Sequence, residues 1–272
     1  MVRSLWSGAT GMNAQQTNVD TIANNLANVN SVGYKAQVAQ FKSLLYQNLQ
    51  SVTTTANGDP KPTTSQVGLG VRTASLNQIF TQGSLLDSDS DTAFAIEGDG
   101  FFALRGEDNE IFYTRNGDFT WAIASNNRMT LTNADGLPVL DTEGRAIVLP
   151  TEYLASNLSI TEDGQICYPD ERNNPQPIGV TIGTFQFNNP GGLRRVGDTL
   201  FQVTDASGRA LNEDTEPDVA KSRIIQGYLE GSNVHVANEM VNLIVAQRAY
   251  EMNSKSITTS DSMLEVANNL KR

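Results

Sequence analysis

Few residues in this 272-residue chain are of a type and spacing that could do chemistry. The run DSDSD sets Asp87, Asp89 and Asp91 at the alternate positions that supply the first oxygens of a calcium loop. Such a loop needs glycine at its sixth position and a bidentate glutamate at its twelfth. Here those positions hold Thr92 and Gly98, so no calcium site is expected. GLGVRT, residues 68–73, begins like a dinucleotide-binding turn but lacks the third glycine, and no clear helix follows it. Neither a P-loop nor a G-x-S-x-G motif occurs. Cys167 is the only cysteine and His235 the only histidine, which excludes an intrachain disulfide and a zinc cluster. A Cys167–His235 nucleophile–base pair stays open on sequence alone. The expected places are a buried strand-and-turn position for Cys167, within GQICYPD, and a helix surface for His235. Carboxylates are plentiful, yet nothing singles out a pair for acid–base work. No catalytic, cofactor-binding or metal-binding residue is therefore assigned. No cofactor is expected, and the expected role is not enzymatic.

The elements that would carry any site are set out by proline. All nine prolines lie between Pro60 and Pro217. Proline in a helix interior costs about 3 kcal/mol, so both ends are free to form long helices and the middle is not. At the N-terminus Leu5, Met12, Val19 and Leu26 recur every seven residues, flanked by Ala9, Ile22, Ala23 and Val29. Gln16 interrupts the second row. Gly8 and Gly11 would let another backbone come close, or simply fray the first turns. At the C-terminus Val236, Leu243, Tyr250, Ile257 and Leu264 repeat the spacing. Met240, Ile244 and Ala267 broaden this stripe, and Gln247, Ser254 and Asp261 occupy the accompanying row. Ser232 or Asn233 is the expected N-cap, of a helix of roughly 35–38 residues, about 55 Å long. Trp6, Ile22, Val29, Ile244 and Met263 fall off the rows, which calls for contacts on more than one side and hence self-assembly.

Between the ends lie short β-rich runs at 94–105, 111–122, 128–140, 178–187 and 199–205. They are punctuated by Asn116-Gly117, Asp135-Gly136, Glu143-Gly144 and Asp163-Gly164. The fold class read from this is α+β: long N- and C-terminal helices forming a coiled-coil-like layer, with a mostly antiparallel β domain between them. The expected segments are an N-terminal helix and assembly motif at 1–45, a polar linker-like stretch at 46–66, a β-rich domain at 67–226 and an assembly helix at 227–272. Residues 46–226 carry 12 basic and 24 acidic side chains, a balance that repels phosphates and argues against nucleic acid. No run approaches the ~18–20 apolar residues of a membrane span. The N-terminus has no continuous apolar core of a cleaved secretory signal, so neither membrane insertion nor signal cleavage is expected.

ANNLANVNSVGYKA, residues 23–36, resembles the signature of the axial rod and hook proteins of the bacterial flagellar basal body. EGSNVHVANEMVNLIVAQRAYEMNSKSI, residues 230–257, is similar to the other end of the same family, and VGLGVR (67–72), IFTQGSL (79–85) and AIEGDGFF (95–102) fit it too. The likeness extends over nearly the whole chain and looks weakest across 104–175. It implies a structural subunit of the distal rod, with a proximal rod or hook subunit as the alternative. A secreted coiled-coil adhesin or scaffold is the alternative of another class. It further implies export without signal cleavage through the flagellar export apparatus, then a homo-polymer forming a hollow helical tube across the periplasm. The implied partners are proximal rod proteins, hook protein, and the P- and L-ring bushing proteins. On this reading Asn24, Asn25, Asn28 and Asn30 serve helix-end carbonyls and neighbouring subunits, Gly33 ends the helix in a left-handed conformation, and Tyr34 and Lys35 open the next segment. The heptad rows at both ends are the remaining interface candidates. The stretch 46–66, with Tyr46, Pro60 and Pro62, resembles an insertion carried by distal rod proteins and is expected to stiffen the tube.

Overall fold

A computed structural model describes residues 2–50, 65–124, 128–170, 174–197, 199–217 and 219–270. The chain divides into two compact units: residues 1–27, 37–78 and 235–272, and residues 28–36 and 79–234. Residues 67–78, read above with the β-rich domain, belong to the first unit. Residues 28–36 and 227–234, read with the terminal segments, belong to the second.

In the first unit α1 (Val2–Ala27) and α2 (Val236–Asn269) are the two proline-free helices expected at the ends. They run antiparallel. Ser4 faces Ser260, Gly8 faces Ile257, Gly11 faces Asn253 and Asn25 faces Glu239. A β-carbon on Gly8 would stand 2.8 Å from Ile257 Cγ1, and one on Gly11 would stand 2.9 Å from the Asn253 amide. The glycines thus serve close approach rather than fraying. The row of α2 that accompanies Leu243, Tyr250, Ile257 and Leu264 is Glu239, Ala246, Asn253 and Ser260, with Ala246 and Ser260 buried. Of the row expected there, Met240, Gln247 and Asp261 are exposed and Ser254 is half-buried. Close approach at Gly8 and Gly11 seats Ile257 and Asn253 against α1, while Met240, Val241, Ile244 and Val245 stay exposed.

The same unit carries a two-stranded ribbon. β1 (Gln37–Ser43) and β2 (Tyr46–Gln50) run out; β3 (Ser65–Gly68) and β4 (Val71–Gln78) run back. β1 pairs with β4 and β2 with β3, both antiparallel, and the Leu44 amide bonds the Gly70 carbonyl at 2.9 Å between them. The patternless reading of 46–66 is therefore corrected at both its ends. Cross-strand pairing supplies the order that sequence periodicity does not. Pro60 and Pro62 lie outside the described residues. The base of the ribbon packs on α1, where Ala39 is buried.

The second unit is antiparallel in every described pair. β5 (Leu85–Asp87) pairs with Tyr228–Glu230, and β6 (Phe94–Glu97) with Arg223–Gln226. β7 (Phe101–Arg105) and β8 (Ile111–Thr114) form the centre of a six-stranded sheet. Side chains alternate along β7. Phe102 and Leu104 point into a core with Phe94, Phe119 and Leu131, while Phe101 and Ala103 join Tyr113, Leu140, Phe187 and Phe201. Edge-to-face rings fix the second cluster, with Phe101–Phe187 centroids 5.4 Å apart and Tyr113–Phe187 4.9 Å apart.

Candidate assembly site

The asparagine-rich segment runs through both units: residues 23–27 belong to the first and 28–36 to the second. α1 stops at Ala27, six residues before Gly33, so Gly33 does not end the helix as expected. A turn follows instead, in which the Asn28 carbonyl and side-chain oxygen accept from the Ser31 amide and hydroxyl at 3.2 and 3.1 Å. Within the first unit Asn25, 1% exposed, grips the backbone where β1 begins. Its Nδ2 donates to the Gln37 carbonyl at 2.8 Å and its Oδ1 accepts from the Gln37 amide at 2.9 Å. Asn25 is thus spent inside its own chain, closing the excursion of residues 28–36. Asn24 lies at the surface and Asn28 is half-buried.

Within the second unit the segment 28–36 inserts as a strap. Gly33, at φ +68°, donates its amide to the Glu230 carbonyl at 2.7 Å. Tyr34 is 1% exposed beneath the Arg195 guanidinium, 4.7 Å from its ring. Ala36 donates its amide to Asn233 Oδ1 at 2.8 Å and accepts from the Ile79 amide at 2.9 Å. The Asn233 Nδ2 donates to the Ile79 carbonyl at 2.8 Å. That engagement is why Asn233 does not cap α2, whose N-cap is His235 without a side-chain cap bond. Tyr34, expected at a subunit contact, is therefore buried within its own chain.

Beneath the strap lies a buried ion cluster. Lys35 Nζ donates to Glu230 Oε1 at 2.6 Å and to the Thr81 carbonyl at 2.8 Å. Arg115 NH1 donates to Glu230 Oε2 at 3.2 Å and NH2 to the Gly98 carbonyl at 2.6 Å, with the guanidinium 5.1 Å from the Phe101 ring centroid. The Gly83 amide also donates to Glu230 Oε1, at 2.9 Å. All three side chains are at most 1% exposed. Desolvation pushes Lys35 and Arg115 below their usual values, against the Glu230 carboxylate, which raises both. Nearby Glu213, also buried, takes donors from Thr184 Oγ1, Gln186 Nε2 and both the amide and hydroxyl of Ser222. Sequence reasoning singled out neither Arg115 nor Glu230. Glu230 stands between Leu229 and Gly231, a context that could have marked it as buried, whereas Arg115 stands between Thr114 and Asn116 and carries no such signal.

The heptad candidates divide by exposure. Leu5, Met12, Val19, Leu26, Leu243, Ile257 and Leu264 are half-buried, whereas Val236 and Tyr250 are exposed. Val19 and Tyr250 line one open groove with Gln16, Gln247 and Glu251. Outside the seam, α2 exposes Met240, Val241, Ile244, Val245, Met252, Met263 and Val266, each more than half accessible. Nothing chemical is assembled among the described residues. Cys167 is buried with its thiol on the Gln165 carbonyl, His235 begins α2, and no group of three or more His, Cys, Asp or Glu side chains could hold a metal. Among the described residues no helix is long and apolar enough to cross a membrane.

The described residues thus form two terminal helices in one unit and an antiparallel β unit. Three family models match: flagella basal body rod protein over residues 5–35, flagellar hook protein FlgE/F/G D1 domain over 95–168, and flagellar basal body rod FlgEFG protein C-terminal over 225–270. The second covers most of 104–175, expected to be the least family-like stretch. Among curated relatives, the flagellar basal-body rod protein FlgG of Borreliella burgdorferi is 44% identical over 100% of both chains. FlgG of Agrobacterium fabrum is 40% identical over 99% of this chain and 100% of its own, and FlgG of Bacillus subtilis is 36% identical over 100% of both. The chain belongs to the flagellar basal-body rod family. Within it the chain is a structural subunit of the distal rod, located in the flagellar basal body, and the adhesin alternative finds no support.

Proposed function

We propose that copies of this protein polymerise into a hollow helical drive shaft that crosses the periplasm and transmits torque from motor to hook. The apolar outer face of α2 carries this reading, because seven large side chains more than half accessible on one helix need a partner. In the assembled tube α1 and α2 form a coiled-coil-like inner layer and the β unit faces the P- and L-ring bushings. Proximal rod proteins and hook protein meet its two ends. The subunit reaches the tip through the flagellar export apparatus without signal cleavage, and it catalyses no reaction. Electron microscopy of basal bodies with a tag in the exposed Gly144 turn tests this. Label along the rod outside the proximal segment is expected, and label on the hook or absent from the axis would refute it.

The ribbon has a separate role in this proposal. Two strands alone are marginally stable in water, and Leu45, Tyr46 and Leu49 are exposed on it. We propose that it lies against adjacent subunits and stops them sliding. Deleting residues 47–65 is expected to give assembled but curved or flexible rods. Straight rods from the deletion strain would reduce the stretch to a connector.

A further inference from the structure

We infer that residues 28–36 form a strap that opens and closes on the second unit as a local event, and that Lys35 is its lock. The reason lies in the charge balance of a dry site. With the strap closed, Glu230 holds Lys35 at 2.6 Å and Arg115 at 3.2 Å. With the strap lifted, Glu230 keeps Arg115 and the Gly83 amide, and Arg115 keeps the Gly98 carbonyl and the Phe101 face. One carboxylate facing one guanidinium is a neutral pair, so the charge of the site left behind is still balanced. The Lys35 ammonium, once outside, is hydrated. Opening therefore strands no buried charge, whereas the usual penalty for breaking a buried pair is an uncompensated ion.

The strap's other holds are of the same reversible kind. They include the Gly33 amide on the Glu230 carbonyl, the Ala36 amide on Asn233, the Ile79 amide on the Ala36 carbonyl, the Asn233 backbone amide on the Tyr34 carbonyl, Lys35 on the Thr81 carbonyl, and Tyr34 beneath Arg195. Its own apolar contribution is small: Tyr34 and Ala36 pack with Val234 and half-buried Val29, apart from the two large cores. In the first unit the two bonds between Asn25 and Gln37 join the strap's ends. It can thus lift as a loop of nine residues without unwinding α1 or unpairing β1.

The same balance makes the three charged residues unequal. Lys35→Met removes the lock and leaves Glu230–Arg115 balanced. Glu230→Gln leaves two buried cations with no anion between them, so it should disturb the whole unit. Hydrogen exchange on the full-length chain separates the cases. In Lys35→Met, exchange at the Gly33 and Ala36 amides should speed up about ten- to a hundredfold, the loss of one or two charge-assisted bonds. The paired amides of β7 and β8, around Phe102 and Thr114, should change less than about threefold. In Glu230→Gln both sets should lose protection together, or the unit should fail to fold. Unchanged exchange at Gly33 and Ala36 in Lys35→Met would show that Lys35 is no lock. An equal loss across β7 and β8 in that variant would show that the strap is an integral part of the core.

Discussion

Cells carrying Ile244→Asp are expected to make normal amounts of folded protein, build no distal rod and not swim. Ile244 is 56% exposed on α2, and Met240, Val241 and Val245 beside it are exposed as well. A surface substitution of this kind usually changes the stability of the single chain by no more than about 0.5 kcal/mol. Arg248 one turn later would also pair with the new carboxylate at the favourable i, i+4 spacing. In an apolar contact between subunits the same carboxylate loses its water and faces hydrocarbon. That costs at least about 3 kcal/mol per contact, more than a hundredfold in association, and it recurs at every subunit. The result to look for is a circular dichroism spectrum like the parent's with no rods by electron microscopy. Rods of ordinary length would remove this face of α2 from assembly. Leu243→Asp is a less selective probe, because Leu243 is half-buried against the chain's own helix pair.

Gly33→Ala is expected to cost the second unit about 2–5 kcal/mol, the sum of left-handed strain and overpacking. Gly33 has φ +68°, and a β-carbon there would lie 2.6 Å from the Asn116 nitrogen and 2.8 Å from the Arg115 carbonyl carbon. Both are backbone atoms in the bend that follows β8, so neither can rotate away. Relieving the clash pushes the strap outward and stretches the Gly33–Glu230 bond. For a unit of this size the melting temperature should fall by about 5–15 °C. Trp121, half-buried against the main core, reports the transition, and urea melts followed by its fluorescence would measure it. Gly136→Ala is the control. Gly136 also has positive φ, +81°, but nothing lies within 4 Å of its would-be β-carbon, so only the strain of about 1–2 kcal/mol remains. Equal losses in the two variants would mean that the close approach of the strap to Arg115 and Asn116 does not matter.

The two helices and the β middle were legible because they depend on local rules. Proline confined to residues 60–217 leaves the ends helical, and seven-residue spacing marks Leu5 to Leu26 and Val236 to Leu264 as one side of each helix. Turn dipeptides between β-rich runs made the middle antiparallel. The rod family was legible too, because its signatures sit together at both ends and inside the chain. Which row faces the partner helix was not legible. Gly8 receives Ile257 and Gly11 receives Asn253, with Ala246 and Ser260 buried on the same helix, and this depends on how two distant helices meet.

The asparagines and the charges divide in the same way. The sequence by itself shows four amides in residues 24–30 and a lone Gly-Tyr-Lys after them. Only the tertiary structure assigns Asn25 to Gln37, Gly33 to Glu230 and Tyr34 to a buried place under Arg195. Lys35, Arg115 and Glu230 are ordinary charged residues until β8 and the strand Tyr228–Glu230 bring them together beneath the strap. Composition and periodicity decide which face of an element shuns water. A buried ion pair between residues 195 positions apart is decided by chain topology, because desolvation demands a partner but does not say which.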